Sequence, residues 1–297
     1  MSAPRPINSH HVQQQFDRRA PLDAVQFLYG EIAQRMLSRL SYMQLQPQHI
    51  LDAGCGAGQA IDPLTARYVD MDYVGVDHSA AMLEHAKQRY AYAPSLWQRL
   101  RKKSPKLPEL VQADLAKTNL LPERFDLIWS NLALHWHPEP ERVFEEWHRL
   151  LGPEKLLMFS TFGPDTLKEL RAAMSAATLD THSMEFVDMH DYGDMLLQHG
   201  FSDPVMDQEH ITLTYTSAEK LLKEVHMLGG NPHPQRRILR RADLQRLLQA
   251  LDGQRQMDGS IHLTIEVIYG HAWRASSYRK DGEVRIPISS IQRRPRP

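Results

Sequence analysis

The sequence predicts an α/β fold built on a doubly wound, mostly parallel seven-stranded sheet, with an N-terminal helical arm and a helical cap insertion. Three observations carry that expectation. Short apolar stretches alternate with helix-period stretches from residue 49 to residue 162. The strand-like stretches are apolar throughout, the pattern of strands covered on both faces. A glycine turn, Gly54, Gly56 and Gly58, follows directly on the first of them.

Taken in order, Ala24 to Leu45 carries Val25, Leu28, Ile32, Met36, Leu37 and Leu40 at helical spacing, and Pro47 ends it. His49 to Ala53 is a strand, and Ile61 to Tyr68 after the glycine turn is a helix. Asp72 to Asp77 is the second strand, and Ala80 to Tyr90, with Met82, Leu83, Ala86 and Tyr90 on one stripe, the second helix of this alternation. Strands at 110–114, 125–130 and 155–162 follow, with a helix over 140–151. Helices at 165–177 and 188–197, the latter stopped by Gly200, precede a strand over 205–215. Helices at 217–228 and 241–251 form the cap, and His262 to Trp273 closes the sheet. One domain over 1–288 is expected: arm and helix 1–45, core 46–162, substrate side and cap 163–288. A basic, disordered tail over 289–297 completes the chain.

The 297 residues are 42% hydrophobic and 24% charged, the balance of an ordinary globular protein. With 35 Lys and Arg against 36 Asp and Glu the net charge is −1, which excludes a global basic field for nucleic acid or anionic lipid. Cys55 is the only cysteine, so no intrachain disulfide exists and a cytoplasmic setting is expected. The N-terminus lacks the apolar stretch of a secretory signal, and no segment approaches the roughly 20 apolar residues of a membrane span. The 16 histidines are scattered without metal-ligand spacing, so no metal is expected.

In a doubly wound sheet the ligand crevice lies beyond the carboxyl ends of the strands. The turn Asp52-Ala-Gly54-Cys-Gly56-Ala-Gly58 has the spacing G-x-G-x-G, and Gln59 stands where a dinucleotide fingerprint needs glycine. Asp52 would also repel a pyrophosphate. An acidic entrance favours a cationic ligand. Asp77 ends the second strand, placed to accept from two ribose hydroxyls, and Asp114 with the Leu115 amide ends the third, placed to hold an adenine edge.

Leu51-Asp-Ala-Gly-Cys-Gly-Ala-Gly58, Asp77, Ala113-Asp-Leu115 and Ser130-Asn-Leu-Ala-Leu-His-Trp136 resemble the successive motifs of the Rossmann-like class I S-adenosylmethionine-dependent methyltransferases. The resemblance implies S-adenosyl-L-methionine as cofactor. It places Asp52 near the methionine ammonium, Gly54, Gly56 and Gly58 under the cofactor, Asp77 at the ribose, Asp114 and Leu115 at the adenine, and Asn131 near the sulfonium. His78 and Met82, just past Asp77, join that set.

The flanks Gln15-Phe-Asp-Arg-Arg-Ala20, Phe159 to Arg171, Asp188-Met-His-Asp191 and Tyr269 to Arg274 resemble the malonyl-acyl-carrier-protein O-methyltransferase family, which starts pimelate assembly for biotin. The family usually has Tyr-Asp where this chain has Leu22-Asp23, and Pro-Gly-Gly where it has Pro153-Glu-Lys155. The likeness implies methylation of the free carboxylate of a malonyl thioester, on acyl carrier protein or coenzyme A. Alternatives are another small carboxylic acid, or a protein-modifying enzyme or scaffold akin to complex I assembly factors. Methyl transfer to a carboxylate needs no catalytic base, because a carboxyl group is ionised at pH 7. Substrate candidates are Phe16, His135 and Trp136 as pocket wall, and Arg18, Arg19, Arg171, Arg236 and Arg237 as carboxylate readers. Between helix and strand, Arg99, Arg101, Lys102, Lys103 and Lys106 form a basic run suited to docking an acidic acyl carrier protein.

Overall fold

The computed structural model describes residues 5–91, 107–179, 184–235 and 238–276. The basic run at 99–106, Arg236, Arg237 and the 289–297 tail lie outside the described residues. The seven strands are β1 (His49–Ala53), β2 (Asp72–Asp77), β3 (Glu109–Gln112), β4 (Phe125–Asn131), β5 (Leu151–Phe162), β6 (Phe201–Tyr215) and β7 (Ile261–Arg274). They form one sheet in the order β3-β2-β1-β4-β5-β7-β6. The first five run parallel, and β7 is antiparallel to both β5 and β6.

Because successive side chains of a strand face opposite ways, an apolar strand builds two cores at once. In β1 and β4, Ile50, Leu127 and Trp129 join one cluster while Leu51 and Ile128 join the other, all fully buried. Each such side chain contributes about 1.5–3 kcal/mol by leaving water. The first layer is covered by α2 (Gln26–Leu40), whose Leu28, Ile32, Met36 and Leu40 recur every four residues and are buried. The second is covered by α5 (Pro140–Leu150) and α7 (Met189–Gln198), through Phe144, Trp147, Tyr192 and Leu196.

Around the turn and β2, α3 (Ile61–Arg67) and α4 (Ala80–Tyr90) complete the alternation. The arm is a helix, α1 (Ser9–Arg19), started by Asn8, whose side chain accepts from the His11 amide at 2.9 Å. The cap comprises α6 (Lys168–Ala176), α8 (Ala218–Met227) and α9 (Arg241–Asp252). Its core of Ala173, Leu221, Leu247 and Leu251 packs on Tyr215, Ile261 and Leu263, where β6 and β7 project beyond their neighbours.

Several boundaries differ from the sequence pattern: β6 starts at Phe201 instead of Val205, β3 ends at Gln112 instead of Asp114, and the helix expected from Asp165 starts at Lys168. The helix expected through Leu45 stops at Leu40, because Arg67 Nη2 donates to the Leu40 carbonyl at 2.8 Å and Ser41 Oγ to that of Ser38 at 2.5 Å. Those bonds satisfy carbonyls that further helix would have used. Likewise β5 starts at Leu151 instead of Lys155, since Leu151 pairs with Phe125 across a register shift. No helix among the described residues is long and apolar enough to cross a membrane.

Candidate active site

Strand order reverses at β1, which has β2 on one side and β4 on the other, and the chain leaves the two neighbours toward opposite faces. The crevice at that switch point holds a cavity of about 600 Å³, lined by the glycine turn, the ends of β2 and β4, the loop after β3, and the arm with α2. Asp52, Gly54, Gly56, Asp77, His78, Met82, Asp114, Leu115 and Asn131 all line it, and so do Phe16 and Trp136. One wall is therefore acidic and polar. Another part of the lining, Phe16, Leu22, Trp129, Leu132 and Trp136, is apolar.

The turn has its shape because the chain must fold back tightly after β1. The amides of Gly54 and Cys55 both donate to the Val76 carbonyl, at 2.8 and 3.0 Å, and Gly54 has φ +84°. A Cβ on Gly54 would lie 2.2 Å from that of Ala133, so only glycine permits this approach. Gly58 does not line the cavity. A Cβ there would lie 2.8 Å from Ile61 Cδ1 and 3.2 Å from the Tyr90 ring, so its role is to seat α3 against α4.

Three carboxylates stand at successive strand ends in three different electrostatic states. Asp52 is buried and accepts a hydrogen bond from the Tyr73 hydroxyl. Burial pushes its pKa up to about 7, against the opposing effect of the Tyr73 bond. Burial also raises Asp77, opposed by the Ser79 and Gly56 amides, which donate to its two oxygens at 2.8 and 2.9 Å. Each of those oxygens keeps a lone pair for a further donor. Asp114 is held down at about 2, first by its hydrogen bond with His137 at 3.2 Å. The Ala116 amide, at 2.7 Å, falls on that same oxygen.

The remaining candidates separate. Asn131 lines the cavity with its amide engaged: Nδ2 donates to the Tyr29 carbonyl at 3.0 Å and Oδ1 accepts from Ser160 Oγ at 2.8 Å. It ties α2 to β5. Trp136 meets Phe16 edge to face, with centroids 5.5 Å apart, and joins the arm to the loop after β4. His135 is absent from the wall. It is fully buried among Trp136, Phe162 and Phe186, with Nδ1 accepting from the Phe162 amide, and burial holds its pKa well below the usual imidazole value. Arg171 spends its guanidinium on the Thr166 and Pro164 carbonyls and fastens its own loop. Arg18 is exposed, whereas Arg19 is half-buried, bonded to Gln15 Oε1 at 2.5 Å and facing His226.

Sequence reasoning did not single out Tyr73, His137, Tyr29, Gln13 or Asp17. Tyr73 lies four residues before Asp77 in β2, and only the register that places Asp52 opposite Gly75 brings it to that carboxylate. Gln13 donates to the His78 carbonyl at 2.9 Å, and Asp17 accepts from Ser79 Oγ at 2.6 Å and the Ala81 amide at 3.3 Å. These contacts seat α1 on the start of α4.

Residues 51–159 match the methyltransferase domain. The chain is 40% identical over 288 residues to the malonyl-[acyl-carrier protein] O-methyltransferase of Gallionella capsiferriformans, covering 95% of this chain and 97% of that protein. The protein of the same name from Legionella pneumophila is 36% identical, over 88% of this chain and 89% of its own. The chain belongs to the malonyl-[acyl-carrier protein] O-methyltransferase family.

Solved structures agree with this family's fold. The YcgJ protein of Bacillus subtilis superposes with a TM-score of 0.55 at 14% identity, covering 82% of this chain and 98% of that one. A phosphoethanolamine N-methyltransferase of Haemonchus contortus, solved with S-adenosyl-L-methionine, gives 0.53 at 14% identity, over 89% of this chain and 60% of its own. In this chain the cavity is closed by α1, α2 and the segment after β4.

Proposed function

We propose that the protein transfers a methyl group from S-adenosyl-L-methionine to the free carboxylate of malonyl-acyl-carrier protein. The observation that carries this reading is the row of Asp52, Asp77 and Asp114 at three adjacent strand ends, facing one cavity in a chain of this family.

The residues present fit the cofactor. Asp52 offers a negative charge to an ammonium, Asp77 two acceptors to vicinal hydroxyls, and Asp114 an acceptor beside the Leu115 amide to an adenine edge. Gly54 and Gly56 leave room for the backbone to approach. When bound, the cofactor supplies a methyl group on a positively charged sulfur.

What the chain must then do is limited. A carboxylate is already ionised at pH 7, so no side chain has to take a proton. Sulfonium and carboxylate lose their charges on reaction, so the transition state is less polar than the reactants, and a dry wall favours it. Phe16, Leu22, Leu132 and Trp136 exclude water there, and the Asn131 bonds to Tyr29 and Ser160 hold α2, β4 and β5 together beside the cavity. His135, buried and neutral, supports Trp136 from behind.

The basic run Arg99, Arg101, Lys102, Lys103 and Lys106 is the proposed docking site for the acidic carrier protein. The cytoplasm is the proposed setting, in keeping with a lone, buried thiol at Cys55. Purified protein with labelled cofactor tests the activity. Methyl ester should form on malonyl-acyl-carrier protein and malonyl-coenzyme A and not on acetyl thioesters. Transfer to free dicarboxylic acids with none to malonyl thioesters would replace this reading with that of a small-acid methyltransferase.

A further inference from the structure

We propose that Arg19 and Tyr29 form a carboxylate-binding pair in the seam between arm and cap, reading the acidic end of a ligand in the cavity. The inference rests on the methyltransferase reading for the identity of that ligand.

Several other arginines end on acids, Arg35 on Glu31 and Glu209, Arg39 on Asp207 and Arg89 on Asp62, while Arg67 and Arg171 end on backbone carbonyls. Arg19 is half-buried and has no carboxylate partner among the described residues. Its Nη2 is held by Gln15 Oε1 at 2.5 Å and faces His226 Nε2 at 3.2 Å. Its Nη1 is buried with no hydrogen-bond partner. A second orphan belongs to the same region: the Tyr29 hydroxyl is also buried and unpartnered, on a residue that lines the cavity. The guanidinium and the phenol lie close enough to shift each other's ionisation, although burial is the larger influence on both.

Position supports the pairing. Arg19 follows Phe16 by three residues on α1, so the two share a helix face, and Phe16 lines the cavity. From the cap, Gly230 lies beside Arg19, where a Cβ would be in ordinary van der Waals contact with Nη2 at 3.4 Å. Neighbouring Gly229 leaves space for the Trp136 ring, which a Cβ would meet at 2.1 Å. Arm and cap thus meet at a half-buried cation that has no carboxylate partner among the described residues and stands one helical turn from the cavity-lining Phe16.

Chemistry narrows the ligand. Both orphans are donors, so the missing group is an acceptor, and a half-buried cation without a counter-charge calls for an anion. A carboxylate meets both demands: one oxygen takes the two donors, and the other stays free. Two sources have that chemistry, the malonyl carboxylate and the amino-acid carboxylate of the cofactor. Because both donor atoms are covered, admission of either requires the arm to part from the cap at the Arg19–His226 and Asn8–Pro232 contacts.

Two variants test the pair, Arg19→Gln and Tyr29→Phe, by calorimetry on the full chain. S-adenosylhomocysteine is compared with 5′-methylthioadenosine, which lacks the amino-acid tail. Malonyl-coenzyme A is compared with acetyl-coenzyme A on protein saturated with S-adenosylhomocysteine. The expected result is a loss of about tenfold or more on one carboxylate ligand, with its carboxylate-free counterpart unchanged. Loss on S-adenosylhomocysteine assigns the pair to the cofactor, and loss on malonyl-coenzyme A assigns it to the substrate. Tyr29→Phe removes only an unpartnered hydroxyl, so its melting temperature should equal or exceed that of the wild type. A purely structural role predicts that same melting result with unchanged binding. No loss in either comparison, or equal losses within each, overturns the proposal. Wild-type protein that binds S-adenosylhomocysteine but methylates neither malonyl-acyl-carrier protein nor malonyl-coenzyme A overturns the functional reading instead, and the cofactor comparison still decides the pair.

Discussion

Asp52 illustrates how one residue couples folding to ligand charge. Its carboxyl is lifted to about 7 by burial, so the folded chain keeps a proton that the unfolded chain releases near 3.9. That contribution to stability is present in full below the unfolded value and is lost as pH rises toward 7. Asp52→Asn keeps an acceptor for the Tyr73 hydroxyl and removes the titration. Its melting temperature should therefore exceed that of the ligand-free wild type at pH 8, with the gap closing near pH 4. Parallel melting curves at both values would show that another group carries the dependence. A cationic ligand opposes the penalty by favouring the ionised form, so the same variant should bind S-adenosyl-L-methionine at least about tenfold more weakly. Asp77→Ala makes a complementary case, because its oxygens are fixed by the Ser79 and Gly56 amides before any ligand arrives. Calorimetry should record a loss of about 1.5–3 kcal/mol of cofactor binding, and unchanged affinity in a folded variant would sink the ribose assignment. The three aspartates were legible in the sequence, as small acidic residues at apolar strand ends. Their partners were not. Tyr73 and His137 act across strands or loops, through registers that no local pattern encodes.

At the scale of elements, the arm matters most, since α1 supplies Phe16, Gln13 and His10 to the cavity wall. Its fastenings include Gln13 to the His78 carbonyl, Asp17 to Ser79 and Ala81, Asn8 to Pro232, and Arg19 to His226. Asp17 also supplements Ser79 in capping α4, because both accept from amides of its first turn. Asp17→Ala should therefore speed cofactor release severalfold in stopped-flow displacement, and cost about 1 kcal/mol of stability through the weakened cap. Release at the wild-type rate would mean that α1 is not part of the exit. The strands and the helices between them were readable because burial on one face or two leaves a period of its own. Boundaries were less so. The early end of α2 depends on Arg67, 27 residues away, and the start of β5 at Leu151 on pairing with Phe125. His135 shows the same limit: Asn-Leu-Ala-Leu-His-Trp fixes neighbours in sequence, yet the one-turn helix over Leu134–Trp136 turns Trp136 to the cavity and His135 into the core.

For the molecule as a whole, the proposed docking of the carrier protein rests on charge. The chain is balanced, with a net charge of −1, yet the stretch from Trp97 to Lys106 holds five cations and no acid. A carrier protein brings a strongly acidic helix to its enzyme, whereas coenzyme A brings only its phosphates, so a basic run should distinguish the two. Charges of this kind chiefly set encounter rates, and salt screens them beyond about 8 Å at physiological ionic strength. Reversing Arg101, Lys102 and Lys103 to glutamate should slow turnover of malonyl-acyl-carrier protein severalfold at low salt, through KM more than kcat. The difference from wild type should shrink as salt is raised, and malonyl-coenzyme A should be affected much less. Equal losses on both substrates would place the damage at the active site, and no loss on either would leave the run as solvated surface. Cofactor affinity provides the internal control, because Asp52, Asp77 and Asp114 take their positions from the sheet and not from this segment.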